Sequence, residues 1–123
     1  MQRKKNKGIP RLIKACGYSL KGLKAAWLNE EAFRIEILII GIIFPLGWWL
    51  GASGTQKALL IGIYFVVLIV ELINSAIEAI VDRIGEEYHL LAGRAKDLGS
   101  ASVFISLTAC VVIWAIILFE RFF

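Results

Sequence analysis

Glu71, Asn74, Ser75, Glu78 and Asp82 recur at intervals of three or four residues, directly after an unbroken apolar run from Ala58 to Val70. At about 100° per residue they share one stripe of a helix, while Leu72, Ile73, Ile77, Ile80 and Val81 fill the rest of its surface. A carboxylate placed where hydrocarbon belongs is costly, which makes such a stripe a candidate site. Glu71 and Glu78 stand two turns apart, about 10 Å along the axis. That is too far for a shared proton and suits two tasks at two depths: a desolvated proton acceptor, and a wetter ligand for a hard cation. A polar contact between helices, or a helix emerging into water, would put the same residue types there.

A cation needs further oxygen ligands, and the stretch Asn29-Glu30-Glu31-Ala32-Phe33-Arg34-Ile35-Glu36 offers them, with Glu30 the natural companion of Glu78. Two carboxylates with spare positions describe Mg²⁺ held together with substrate phosphates, not an all-protein Ca²⁺ cage. Zinc is excluded by a single histidine, His89, with neither cysteine near it. Arg94 and Lys96, with Arg11 and Lys14, supply the cations that a polyphosphate requires. Gly17 to Lys24 imitates the glycine spacing of a P-loop but lacks its Gly-Lys-Ser/Thr ending. Together these residues support metal-assisted group transfer onto a lipid hydroxyl. A small structural membrane protein would share the composition.

The elements that position these groups follow from hydropathy. Of 123 residues 59% are apolar, and the mean hydropathy is +0.73, which excludes a soluble domain of this size. Nine of the 14 Lys and Arg precede the charge-free run that begins at Ile37, so the net charge of +4 originates in the amino-terminal arm. That end is therefore expected in the cytoplasm. No base-stacking aromatic array accompanies the basic residues, so the partner is anionic lipid and not nucleic acid. No cleavable signal is expected, because the first span lacks a small-residue cleavage pattern.

Residues 1–8 read as a disordered basic tail, followed by one domain over 9–123. From residue 9 to 28 Ile9, Leu12, Ile13, Cys16, Leu20, Leu23 and Trp27 form the apolar face of an amphipathic helix, begun by Pro10, lying in the membrane interface. A first span is expected over about 32–51, with Pro45 a point of bending and Trp48 and Trp49 its aromatic belt. A second runs over about 57–82 and a third over about 98–119, with a polar cytoplasmic loop at 83–97. Small residues in the third span, Gly99 to Ser102, Ser106, Thr108 and Ala109, allow close helix packing. Cys16 and Cys110 read as reduced packing residues. The expected fold is an all-α membrane protein, an interfacial helix plus three transmembrane helices, with Phe123 outside. Three spans are too few to enclose a site, so an oligomer with sites shared between subunits is expected.

The text from Glu71 to Gly85, then Glu87-Tyr88-His89 and Gly93-Arg94-Ala95-Lys96-Asp97, closely resembles the prokaryotic diacylglycerol kinase family, as do Ile13 to Ser19 and Lys24 to Glu30. The resemblance implies a homotrimeric bacterial inner-membrane enzyme, with its carboxyl terminus periplasmic, that transfers the γ-phosphoryl group of ATP to sn-1,2-diacylglycerol and yields phosphatidic acid and ADP. It implies Glu71 as catalytic base, supported by Asn74, and Glu30 and Glu78 as the Mg²⁺ ligands. It implies nucleotide contacts at Arg11, Tyr18, Glu30, Glu78, Glu87, Tyr88, His89, Lys96 and Asp97. The implied lipid pocket comprises Arg11, Ala15, Cys16, Gly17, Tyr18, Ser19, Leu20, Lys24, Ala25, Ala26, Trp27, Ala32, Phe33, Arg34, Ile35, Glu36, Trp49, Glu71, Ser100 and Trp114. A second branch of the family resembles undecaprenol kinases, but Asp82-Arg83-Ile84-Gly85 and Gly93 to Lys96 look like the diacylglycerol branch. Leu20 and Cys16 stand where an aromatic residue and an alanine are expected, and these departures bear on the acyl chains.

Overall fold

A computed structural model describes residues 7–84 and 89–123. The described residues form four helices: α1 (Ile9–Asn29), α2 (Glu31–Leu50), α3 (Gly54–Ile84) and α4 (Leu90–Phe122). The amino-terminal tail up to residue 6, and Glu87 and Tyr88 of the expected nucleotide site, lie outside the described residues. Helices α2, α3 and α4 are each long and apolar enough to cross a membrane. At 1.5 Å per residue α2 matches the hydrocarbon thickness, about 30 Å, while α3 and α4 extend beyond it.

Sequence and structure differ at several element ends. Residues 90–97, expected in a polar loop, are the first two turns of α4. The His89 imidazole explains the early start: its Nδ1 accepts the Leu91 N–H at 3.1 Å, satisfying one of the donors that a helix amino terminus leaves open. Helix α3 also starts three residues before the expected Lys57. Ser53-Gly-Thr-Gln56 forms a variant of the capping box, in which Ser53 Oγ accepts from Gln56 N at 3.1 Å and Gln56 Oε1 accepts from Ala52 N at 2.8 Å. Helix α2 continues through Pro45.

Helix α3 is the hub, packed along α4 on one side and α2 on the other, with α1 resting on α2. Leu60, Val67 and Phe33 are the most deeply buried large side chains, and Ala26, Phe33, Tyr64 and Leu68 form a core cluster joining α1, α2 and α3. Polar ties set the heights of neighbouring helices: Tyr64 Oη donates to the Glu36 carbonyl at 2.7 Å, and Trp114 Nε1 to the Leu60 carbonyl at 3.1 Å. The α2–α3 turn is closed by Lys57, whose ammonium donates to the Gly51 carbonyl at 2.8 Å and to that of Trp48, over whose ring it also sits. A side chain at Gly51 would bring its Cβ within 2.7 Å of the Lys57 backbone nitrogen, so only glycine allows the turn to close this tightly. Lys57→Met is expected to lower unfolding free energy by about 1–2 kcal/mol through lost hydrogen bonds, measured by denaturant titration in micelles.

Candidate functional site

The polar stripe of α3 is graded in burial as its spacing requires. Glu71 is 7% exposed and Asn74 8%, Ser75 and Glu78 are half-buried, and Asp82 is exposed. Asn74 Nδ2 donates to Glu78 Oε1 at 3.4 Å, linking the two depths of the stripe. Its Oδ1 is buried without a protein partner among the described residues and presses against Gly99 of α4, where an added Cβ would approach it to 2.2 Å. The small residue at 99 is therefore what lets α4 lie against the stripe.

Between α1 and α3 opens an apolar groove of about 660 Å³. Its α1 wall is Ser19, Gly22, Leu23, Ala25, Ala26 and Asn29, its α3 wall Leu72, Ser75, Ala76 and Ala79, and Glu30 stands at the elbow between α1 and α2. The space exists because small side chains face one another across it. Glu71 and Glu78 stand on α3, and Glu30 lines the groove from the elbow. On α2, Glu36 Oε2 is buried with no hydrogen-bond partner among the described residues.

Whether these residues suit a cation can be judged from their chemistry. No three of His, Cys, Asp and Glu come together among the described residues, so nothing there builds an all-protein cage. Glu30 and Glu78, both half-buried, supply two hard oxygen donors and leave other positions to water or phosphate. That donor set fits Mg²⁺ bound with a polyphosphate.

The other expected residues divide by position. Arg11, Ala15, Cys16, Gly17, Leu20, Lys24 and Trp27 lie exposed along α1, with Tyr18 half-buried. Among those expected at the lipid, Ser19, Ala25 and Ala26 line the groove. Ala32 and Ile35 are exposed on the first turns of α2, Phe33 is buried, and Arg34 turns back toward α1. Ser100 is exposed on α4, one residue past Gly99. Trp49 and Trp114 do not line the groove: Trp49 is exposed at the far end of α2, and the Trp114 ring nitrogen is engaged by Leu60. On the polar turns of α4, Lys96 pairs with Asp82 at 2.6 Å while Asp97 is exposed. Such an exposed pair contributes little stability, so its consequence is orientation of the ammonium. Leu72, Ala76, Ala79 and Gly22 were missed as groove residues by sequence reasoning. For Gly22, Ala76 and Ala79 the signal was small residues at helical spacing on two segments, which one sequence cannot pair.

The chain matches the family model described as prokaryotic diacylglycerol kinase over residues 17–118. It is 51% identical over 115 residues to a diacylglycerol kinase of Escherichia coli strain K12, covering 94% of each chain. It is 49% identical to one of Haemophilus influenzae, covering 94% of this chain and 98% of the relative. With one of Helicobacter pylori strain 26695 it shares 44% identity over 110 residues, 89% of this chain and 86% of the relative. A match that takes in the groove and the stripe, with 51% identity to a relative over 94% of the chain, shows that the chain belongs to the prokaryotic diacylglycerol kinase family.

Proposed function

We propose that this chain phosphorylates the free hydroxyl of sn-1,2-diacylglycerol with ATP, forming phosphatidic acid and ADP in phospholipid metabolism. The observation that carries the reading is the buried carboxylate of Glu71, on the same helix as Glu78 and beside an apolar groove that Glu30 lines, in a membrane helix bundle. Glu71 accepts the hydroxyl proton as the lipid oxygen bonds to the γ-phosphorus, and the bond from that phosphorus to the bridging oxygen of ADP breaks. Asn74, anchored against Gly99 and reaching Glu78, holds that part of the stripe in place. Glu30 and Glu78 would hold Mg²⁺, which neutralises phosphate charge when bound. The groove seats the acyl chains of the acceptor and keeps water from the reacting hydroxyl.

The polar ends serve the nucleotide: Arg11, Tyr18, His89, Lys96 and Asp97, with Glu87 and Tyr88. Arg11 and Glu30 are 19 residues apart, about 28 Å along a straight helix. One nucleotide does not bridge both on a single chain, which supports sites that join neighbouring subunits, as in the homotrimer that the family resemblance implies. Helix α1 lies in the membrane interface, since Ile9, Leu12, Ile13 and Leu20 are all at least 66% exposed and only Ala26 is buried. The basic arm and the α3–α4 connection are cytoplasmic and Phe123 is periplasmic in the bacterial inner membrane.

Purified protein in mixed micelles, given Mg²⁺ and labelled ATP with diacylglycerol and undecaprenol in competition, is expected to label phosphatidic acid. Preferential labelling of undecaprenol would overturn the acceptor, and no lipid labelling would leave the stripe as an assembly device. Lys96→Met is expected to raise the KM for ATP by about tenfold, the loss of one charged contact. The KM for diacylglycerol should hold, as initial-rate measurements varying each substrate would show.

A further inference from the structure

Arg34 places a cation in the first turn of α2, the end of a helix at which the macrodipole disfavours positive charge. The structure shows what compensates it. The guanidinium Nη1 turns back across the elbow and donates to the carbonyls of Trp27, at 2.9 Å, and Leu28, at 3.2 Å. Both belong to the last turn of α1, whose carbonyls have no partner within the helix. The neighbouring Ala26 carbonyl accepts instead from the Glu30 N–H at 2.8 Å. One side chain rooted in α2 thus caps the carboxyl terminus of α1, the end that favours a cation.

Only Glu30 separates the two helices, with φ −115° and ψ 104°. Both flanks of this one-residue elbow are packed, Ala26 at 6% exposure and Phe33 at 2%. The angle between α1 and α2 is set by the Glu30 backbone, by the packing of Ala26 and Phe33, and by the Arg34 clamp. The same angle fixes where Glu30 stands at the groove that Leu72, Ser75, Ala76 and Ala79 line from α3. We propose that Arg34 is a positioning residue that locks the α1–α2 elbow and so holds Glu30 in register with the α3 stripe. This rests on the assignment of Glu30 to the metal and nucleotide. The role differs from a direct lipid contact, since Nη1 is engaged by α1.

Arg34→Gln and Arg34→Lys of the full chain, in mixed micelles with Mg²⁺-ATP and diacylglycerol, test the proposal. Arg34→Gln is expected to lower kcat and to raise the Mg²⁺ concentration for half-maximal activity by about tenfold, the loss of one charged hydrogen-bond donor. The KM for diacylglycerol is expected to stay within about twofold, since substrate binding itself is untouched. Arg34→Lys should recover part of the Mg²⁺ response. A raised KM for diacylglycerol with an unchanged Mg²⁺ response would overturn the proposal in favour of lipid contact, and unchanged kinetics would overturn it outright. Electron–electron spin distances between labels on Cys16 and on Ile80→Cys, in a Cys110→Ser background diluted with unlabelled protein, read the elbow directly. Arg34→Gln should broaden that distribution, and an unbroadened one sinks the clamp. Glu30→Gln separates the two readings: a broadened Arg34→Gln distribution beside a normal Mg²⁺ response in Glu30→Gln would support the clamp and remove Glu30 from the metal.

Discussion

Glu71→Gln is expected to reduce kcat by a factor of about 10² to 10⁴, the contribution of a positioned general base, while ATP affinity and melting temperature do not fall. The amide keeps the shape of the side chain but cannot take a proton. Because Glu71 is 7% exposed, its charge is held at a cost that the neutral amide avoids, so folding should be no worse. Titration calorimetry with a non-hydrolysable nucleotide and initial rates on one preparation would separate these effects. Loss of activity together with loss of nucleotide binding would mean that Glu71 acts through structure. Undiminished turnover would remove it from the chemistry.

The second large effect is steric. In Gly99→Ala the new Cβ would stand 2.2 Å from Asn74 Oδ1 and 3.3 Å from its Cγ, so either the amide turns or α4 moves off α3. Asn74 is 8% exposed and packed between the helices, which leaves the amide little room. Overpacking of this kind costs about 1–3 kcal/mol, and the displaced amide should also lose Glu78, lowering activity. Asn74→Ala in the Gly99→Ala background is expected to recover most of the stability by vacating the contested volume, without recovering turnover. Unfolding free energies of the two single variants and the double variant form the cycle that measures this coupling. Additive losses would mean that the pair does not interact.

Much of this molecule was legible in its sequence because the membrane imposes simple rules. The charge-free run from Ile37 to Gln56 and the polar stripe at helical spacing could each be read without partners, since burial in lipid leaves few alternatives. The gradient from buried Glu71 to exposed Asp82 follows directly from that spacing. Helix ends were less legible. Nothing in periodicity marks residues 90–97 as helix, because polar turns projecting from an apolar helix look like loop until the His89 cap is seen. The groove was legible on neither wall alone, since its shape depends on how Gly22 and Ala26 face Ser75 and Ala79. The Arg34 clamp was hidden for another reason: a side chain reaching back seven residues across an elbow leaves no periodic trace.

The residues proposed for the site fall into two groups that a single chain keeps apart, the groove with Glu30 and the distant Arg11 end of α1. The central claim is that cytosolic ATP and a bilayer alcohol meet at the α3 stripe. It is tested most directly by following ADP and phosphatidic acid together, in micelles whose sole acceptor is diacylglycerol. The account predicts that the two products accumulate in equal amounts and that neither forms when diacylglycerol is withheld. ADP released without phosphatidic acid, at a rate indifferent to the lipid, would contradict it.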